Sequence, residues 1–241
     1  SLVWVDEILL VDGGSTDRTL ELCRKPSAVW AGKLKIIERP WSGFNQQRNF
    51  AIQAAENDWV FVVDSDEECT PELALRIREI LNTKEGPERR AFKVRRIEYF
   101  LGREIQHGIW NPSYQDRLFH RAGVKYVNEI HEYPVFANPP GIIHEALRHA
   151  PDFGPEKFLD KMNRYTTVEA WDRVKRGQRT HLGHLIFVFT ALSLKNYFYY
   201  GAYKDGIHGL IISLLEGVSR VVRHVKIWQF GRELDARDRT H

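Results

Sequence analysis

The sequence predicts an α/β fold: a mixed, mainly parallel sheet flanked by helices, with a C-terminal helical extension. Three observations carry this. Short, unbroken apolar runs at 7–11, 34–38 and 60–63 read as strands covered on both faces. Each run is followed by a segment of helical spacing, and strand–helix units in a row imply crossovers and a parallel sheet. From Pro155 onward helical spacing dominates, with Phe158, Leu159, Met162, Tyr165 and Trp171 on one stripe.

The elements follow in order. Ile8-Leu9-Leu10-Val11 ends at Asp12, and Gly13-Gly14-Ser15-Thr16-Asp17 is a tight turn into a helix over 16–25. The strand at 34–38 leads to a helix over 43–56. The strand at 60–63 leads, through Thr70-Pro71-Glu72, to a helix over 71–81 with Leu73, Ile77, Ile80 and Leu81 inward. The pattern then changes. Strands are expected at 91–99 and 117–119, and a strand with a turn over 124–133, in a partly antiparallel half with longer loops. Helices follow at 156–176, 182–200 and 207–230. The division expected is a catalytic domain at 1–154, in a nucleotide half (1–83) and an acceptor half (84–154), with the helical extension at 155–241.

Composition bounds the function. The 241 residues can bury a core of their own. A net charge of +3 gives no reason to expect nucleic acid as a partner. The two cysteines, Cys23 and Cys69, have no spacing partners, which points to a reducing compartment and away from a disulfide framework or zinc site. The first residues show no secretory signal pattern, and no apolar run reaches the roughly 18–20 residues of a membrane-spanning helix. A cytoplasmic protein is expected.

The most informative segment is Val60-Phe61-Val62-Val63-Asp64-Ser65-Asp66-Glu67-Glu68. The carboxylates begin where the strand leaves the sheet, which is where open α/β sheets bind ligands. Residues two apart on a strand share a side, so Asp64 and Asp66 can face one ligand. Two close carboxylates repel unless a positive charge separates them, and a hard divalent cation suits them. The competing reading is an acidic loop that caps the next helix. At Asp12-Gly13-Gly14, a carboxylate and a glycine turn suit a base or ribose edge, while the helix start suits a phosphate; an ordinary strand–turn–helix cap is the alternative. Neither a Walker A loop nor a dinucleotide fingerprint is present. Arg48, near the start of the second helix, can pair with a diphosphate or simply be a solvated helix residue.

Together these segments resemble the inverting family 2 glycosyltransferases of the GT-A fold. The matching residues are 11–19 (Val-Asp-Gly-Gly-Ser-Thr-Asp-Arg-Thr), 47–52 (Gln-Arg-Asn-Phe-Ala-Ile) and 63–68 (Val-Asp-Ser-Asp-Glu-Glu). Segments 99–103, 107–110, 117–121, His131-Glu132 and 161–167 resemble the lipopolysaccharide core β-1,4-glucosyltransferase subgroup. The resemblance implies that a hexose, glucose by subgroup, moves from a UDP-sugar to a core sugar, with Mn2+ or Mg2+ as cofactor. It implies nucleotide-sugar contacts at Asp12, Gly14, Arg48 and Asp64, and metal ligation by Asp66 with Asp64. Glu132 and Asp116 are the candidate bases for the acceptor hydroxyl; Glu132 is preferred because His131 can orient it, while Asp116 reads as a structural partner of Arg117. His144 and His149 are lesser candidates for a metal or phosphate contact. The family opens with a strand like Ile-Ser-Val-Val-Ile-Pro-Thr-x-Asn-Glu, and this sequence begins just after it; either the sequence is trimmed or another segment fills that position, and a real absence would expose a strand edge and weaken nucleotide binding.

Aromatic segments at 185–189 and 197–200, with a basic stretch at Arg220, Arg223 and Lys226, suit an anionic membrane surface. A glycolipid acceptor at the inner face of the bacterial cytoplasmic membrane would make use of it. The other readings are a different surface polysaccharide or polyprenyl phosphate as acceptor, a non-catalytic nucleotide-sugar module, and a phosphohydrolase with Asp64 as nucleophile.

Overall fold

Strand β1 (Ile8–Asp12) pairs in parallel with β2 (Leu34–Glu38), and the register sets Asp12 opposite Glu38. Helix α1 (Thr19–Arg24) connects them, and α2 (Phe44–Ala54) follows β2. The structure is a computed structural model that describes residues 1–25, 30, 32–83, 86–128, 132–149, 155–181, 183 and 185–238.

The third apolar run departs from expectation. β3 (Trp59–Phe61) does not extend the parallel pair but hydrogen-bonds antiparallel to β7 (Ser113–His120), with Val60 opposite Phe119. The local pattern reports a buried strand but not its partner. Phe119 and Leu118, almost wholly buried, supply that partner from far along the chain. β7, β5 (Ala91–Phe100), β10 (Gly141–His149) and β4 (Glu67–Cys69) complete a six-stranded sheet in the order β3-β7-β5-β10-β4, with β6 (Arg103–Ile105) added on β5. A separate antiparallel pair joins β8 (Lys125–Val127) to β9 (Tyr133–Val135).

Helix α3 (Pro71–Leu81) starts where the sequence places it, for the physical reason expected. Pro71 occupies the first turn and the Thr70 hydroxyl accepts from the Leu73 N–H at 3.3 Å. The same hydroxyl donates to the Ala146 carbonyl at 2.9 Å, which ties the helix to β10. Leu73 and Ile77 then pack with Val94, Leu118, Ile143 and Leu147 in the main core.

The chain forms two compact units. The first holds Ser1–Arg96 and Tyr114–Arg148, including the core just described. The second holds Ile97–Ser113 and His149–His241. In it, α4 (Pro155–Lys175), α5 (Leu185–Leu194) and α6 (Ile207–Asp238) are the long helices. Between α5 and α6 run a π-helical turn, Lys195–Tyr199, and a 3-10 turn, Ala202–Asp205. Phe100, Ile105 and Ile212 form one core of this unit; Ala170, Val174 and Ile227 form another.

Candidate active site

Three elements of the first unit bring the predicted residues into place. At the end of β1 the Asp12 carboxylate folds onto its own turn. It accepts the N–H groups of Gly14 at 2.9 Å and Ser15 at 3.0 Å, and the Ser15 hydroxyl as well. That hydroxyl, with the two amides, holds the Asp12 carboxyl below its ordinary range. Gly14 has φ +104°, a conformation closed to most side chains. Gly13 is needed for a different reason: a Cβ there would sit 3.0 Å from the Trp41 ring.

Helix α2 delivers Arg48. The helix is tied to β8 through Asn49, whose amide donates to the Tyr126 carbonyl at 2.9 Å and accepts the Tyr126 N–H at 2.8 Å. One turn surface therefore has a fixed position, and the Arg48 guanidinium lies 5.4 Å from the centre of the Tyr126 ring. Its Nη2 donates to Asp64 Oδ1 at 2.8 Å, and its Nε stands 3.4 Å from Glu132 Oε1.

The acidic segment after β3 forms a turn closed from both ends. Glu67 N–H donates to the Asp64 carbonyl at 3.0 Å, and Asp64 N–H donates to the Glu67 carboxylate at 3.0 Å. Arg117 of β7 then donates to Asp64 Oδ2 at 2.5 Å and to Glu67 Oε1 at 2.5 Å. Arg96 approaches the same Glu67 oxygen at 3.6 Å. Both Asp64 oxygens thus carry a guanidinium partner. Burial works against the Asp64 charge, but Arg117 and Arg48 outweigh it and hold the carboxyl below its ordinary value. The same burial disfavours the Arg117 cation, and Asp64 and Glu67 more than offset it.

The structure thus brings Arg48, Asp64 and Glu132 together in one charge network. Asp66 is exposed at the turn. Asp116 does not pair with its neighbour Arg117, as the sequence suggested. Its partner is Lys93 at 3.3 Å, and its Oδ1 is buried without a hydrogen bond. The reason is strand alternation, which sends adjacent β7 side chains to opposite sides. His131 lies outside the described residues. His144 and His149 are engaged by protein: Nδ1 of His144 is 3.0 Å from the Tyr114 hydroxyl, and that of His149 is 2.5 Å from Glu98. Sequence reading missed Arg117, Glu67 and Arg96 as members of the network. An arginine running directly into the apolar pair Leu118-Phe119 was the available signal for Arg117.

Among the described residues no group of three or more His, Cys, Asp or Glu side chains is gathered to hold a metal. The donor set suits a weaker mode. A hard divalent ion is commonly held by one or two carboxylates and completed by substrate phosphates. Asp66, exposed at the turn, offers a carboxylate of the kind such a role uses, and Asp64 is held by two guanidinium groups.

Residues 5–136 match the family model Glycosyl transferase family 2. The chain belongs to that family. The matched span takes in Asp12, Arg48, Asp64, Asp66, Asp116 and Glu132. Curated relatives named as glycosyltransferases agree with this assignment. The chain is 29% identical over 230 residues to the lipopolysaccharide core biosynthesis glycosyltransferase LpsC of Rhizobium meliloti, covering 92% of this chain and 83% of LpsC. It is 25% identical over 237 residues to the uncharacterized glycosyltransferase RC0292 of Rickettsia conorii, covering 92% of this chain and 80% of the relative. Among solved structures, S. aureus TarS 1–349 in complex with UDP-GlcNAc aligns over 99% of this chain and 86% of that one, at 16% identity and a TM-score of 0.40. This family 2 glycosyltransferase is a mixed α/β protein with C-terminal helices, as the sequence predicted.

Proposed function

We propose that the chain transfers a hexose, glucose by subgroup resemblance, from a UDP-sugar to a lipopolysaccharide or lipooligosaccharide core sugar, with inversion. The observation that carries the reading is the Arg48 guanidinium joining Asp64 to Glu132. It links the acidic turn that follows β3 to a carboxylate in reach of the same cation.

In this reading the Asp12–Gly14 turn takes the nucleoside and Arg48 takes the diphosphate. Glu132 accepts the acceptor hydroxyl proton while that oxygen forms its bond to the anomeric carbon. The bond from that carbon to the diphosphate oxygen breaks on the opposite face, and UDP leaves. Arg48 and Arg117 keep Asp64 ionised, which fixes the turn that presents Asp66. Asp66 would hold Mn2+ or Mg2+ against the diphosphate, and the ion would supply positive charge for the leaving group. Residues 1–154 do this work, 1–83 as the nucleotide half and 84–154 as the acceptor half, and 155–241 are a helical extension. The acceptor is membrane-bound, met at the inner face of the bacterial cytoplasmic membrane.

The phosphohydrolase reading fares worse, because the Asp64 oxygens it needs as nucleophile are both held by arginines. UDP release with candidate UDP-sugars, with and without Mn2+ and a core acceptor, tests the proposal on native and Asp66→Ala protein. Metal-dependent, acceptor-stimulated UDP release that Asp66→Ala abolishes is expected. Metal-dependent UDP binding without turnover would leave a binding module, and inorganic phosphate release would leave a hydrolase.

A further inference from the structure

Helix α6 buries Ile212 and Ile227 in the cores of its unit, but where it meets α5 and the two turns between them, small and polar residues are buried. Asn196 and Ser213 are almost wholly buried and joined at 2.9 Å, and the Ser213 hydroxyl donates to the Gly209 carbonyl at 2.7 Å. A Cβ on Gly217 would fall 2.3 Å from the Ser193 hydroxyl, and one on Gly209 would fall 1.8 Å from the Ala202 carbonyl. Helix α6 therefore meets α5 at Gly217, against Ser193 and the Phe189 ring, and meets the turns through Gly209 and Ser213. A second set of large apolar side chains faces outward. Ile186 is 81% exposed, Phe187 71%, Phe198 63% and Tyr199 78%. On α6, Ile207, Leu210, Leu214 and Val218 repeat at three- and four-residue spacing, all exposed.

In water this arrangement forfeits the hydrophobic gain that normally drives helix packing. Small residues at the contact, with a hydrogen-bonded Asn–Ser pair as glue, are how helices associate when the surroundings are themselves apolar. No helix among the described residues is long and apolar enough to cross a membrane. The alternative that remains is to lie in the interface.

Charge decides between a lipid surface and a second copy of the chain. From Leu185 to Leu215 the basic residues are Lys195 and Lys204, and the single acidic residue, Asp205, is buried against His107. The Lys195 ammonium lies 5.7 Å from the Tyr199 ring and 5.4 Å from the Tyr200 ring. Lysine beside tyrosine, with an apolar body and a polar tip, suits the headgroup layer. A two-fold partner would bring like charges together on this face. The basic stretch first expected to meet lipid faces elsewhere. Arg223 is paired with Glu169, and Lys226 is bonded to the Asn163 carbonyl at 2.7 Å and the Thr167 hydroxyl at 2.7 Å, all on α4.

We propose that the outward face of α5, the π-helical turn and the first turns of α6 seats the protein on an anionic lipid surface, with Phe187 and Phe198 in the acyl boundary and Lys195 and Lys204 at lipid phosphates. The proposal builds on the membrane-bound acceptor reading for its purpose, but vesicle binding is read without turnover. Flotation of the full chain tests it, using phosphatidylcholine vesicles with and without phosphatidylglycerol. Wild type floats with the anionic vesicles. A Phe187→Glu/Phe198→Glu variant loses about tenfold or more in partitioning, as expected from withdrawing two large apolar side chains. Its circular dichroism and melting remain those of wild type, since both positions are exposed. Lys195→Glu loses the preference for anionic over neutral vesicles. Equal flotation of wild type and the double variant overturns the proposal. So does a wild type that ignores vesicles and sediments as a dimer which the double variant splits. UDP release onto a soluble core acceptor is measured in parallel; its absence, with flotation intact, overturns the transferase reading and leaves this one standing.

Discussion

Arg48 Nε stands 3.4 Å from the Glu132 carboxylate while the Nη2 of the same guanidinium donates to Asp64. One planar fork thus serves two carboxylates from separate parts of the chain. A lysine ammonium is a point charge and cannot hold both directions at once. Arg48→Lys should therefore lower kcat/KM for the UDP-sugar by about 10²-fold or more, the scale for losing one well-placed donor to developing charge. Steady-state UDP release measures it. A lysine variant with wild-type turnover would show that Arg48 is structural.

The base assignment separates Glu132 from Asp116 by their partners. Glu132 is held by Arg48 among the described residues, and in the proposed reaction the donor diphosphate would compete for that cation. Asp116 is bound to Lys93 and has one oxygen sealed from solvent. Glu132→Gln should lower kcat by about 10²–10⁴-fold with little change in donor KM, the usual cost of losing a general base. Asp116→Asn should stay within a few-fold of wild type. The reverse pattern moves the base to Asp116.

What was legible in the sequence was local. Thr70 and Pro71 announce the start of α3, and its bounds, Pro71–Leu81, match the reading residue for residue. β2 is also where its apolar run lies. β4 was hidden because Glu67-Glu68 looks like loop; the buried Arg117, with half-buried Arg96 nearby, makes a carboxylate acceptable there. The partner of β3 was hidden because pairing with β7 spans more than fifty residues of chain. Asp12, Arg48 and Asp64 could be named as candidates from type and spacing, and the structure joins Arg48 to Asp64. Arg117 could not, because what defines it is two carboxylates that are distant in sequence. On α6, helical spacing shows that Arg223 and Lys226 share a face but not that Glu169, Asn163 and Thr167 of α4 engage them.

Glu67 is the structural keystone of this network. Its side chain is 0% exposed and that of its partner Arg117 is 5%. Removing one member of a buried pair leaves the other charge uncompensated and typically costs about 3–5 kcal/mol. Glu67→Ala should lose stability on that scale, seen as a lower urea midpoint with an unchanged m-value. Glu68→Ala, at an exposed position on the same strand, should change it by less than about 0.5 kcal/mol.

The Asp64 carboxyl makes stability depend on acid in a definite direction. Burial raises its proton affinity, but Arg117 and Arg48 prevail, so the folded value lies below the ordinary 3.8. The unfolded chain then binds the proton more tightly than the folded one, and stability falls as pH falls. The contribution is complete above the ordinary aspartate value and drains away as pH drops from 3.8 through the folded value. The urea midpoint should therefore be flat on this account near neutrality and decline below about pH 4, where ordinary aspartates begin to protonate. Other carboxylates with lowered values, Asp12 and Glu7 among them, add to the same acid limb. A difference between two proteins isolates the Asp64 share. Arg48→Gln removes one of the two cations that depress it, and also the cation beside Glu132. The variant should be less stable than wild type at pH 7, and the gap should narrow as pH falls through the region below 3.8. A gap that stays constant down to the acid transition would mean that Arg48 does not stabilise the Asp64 charge.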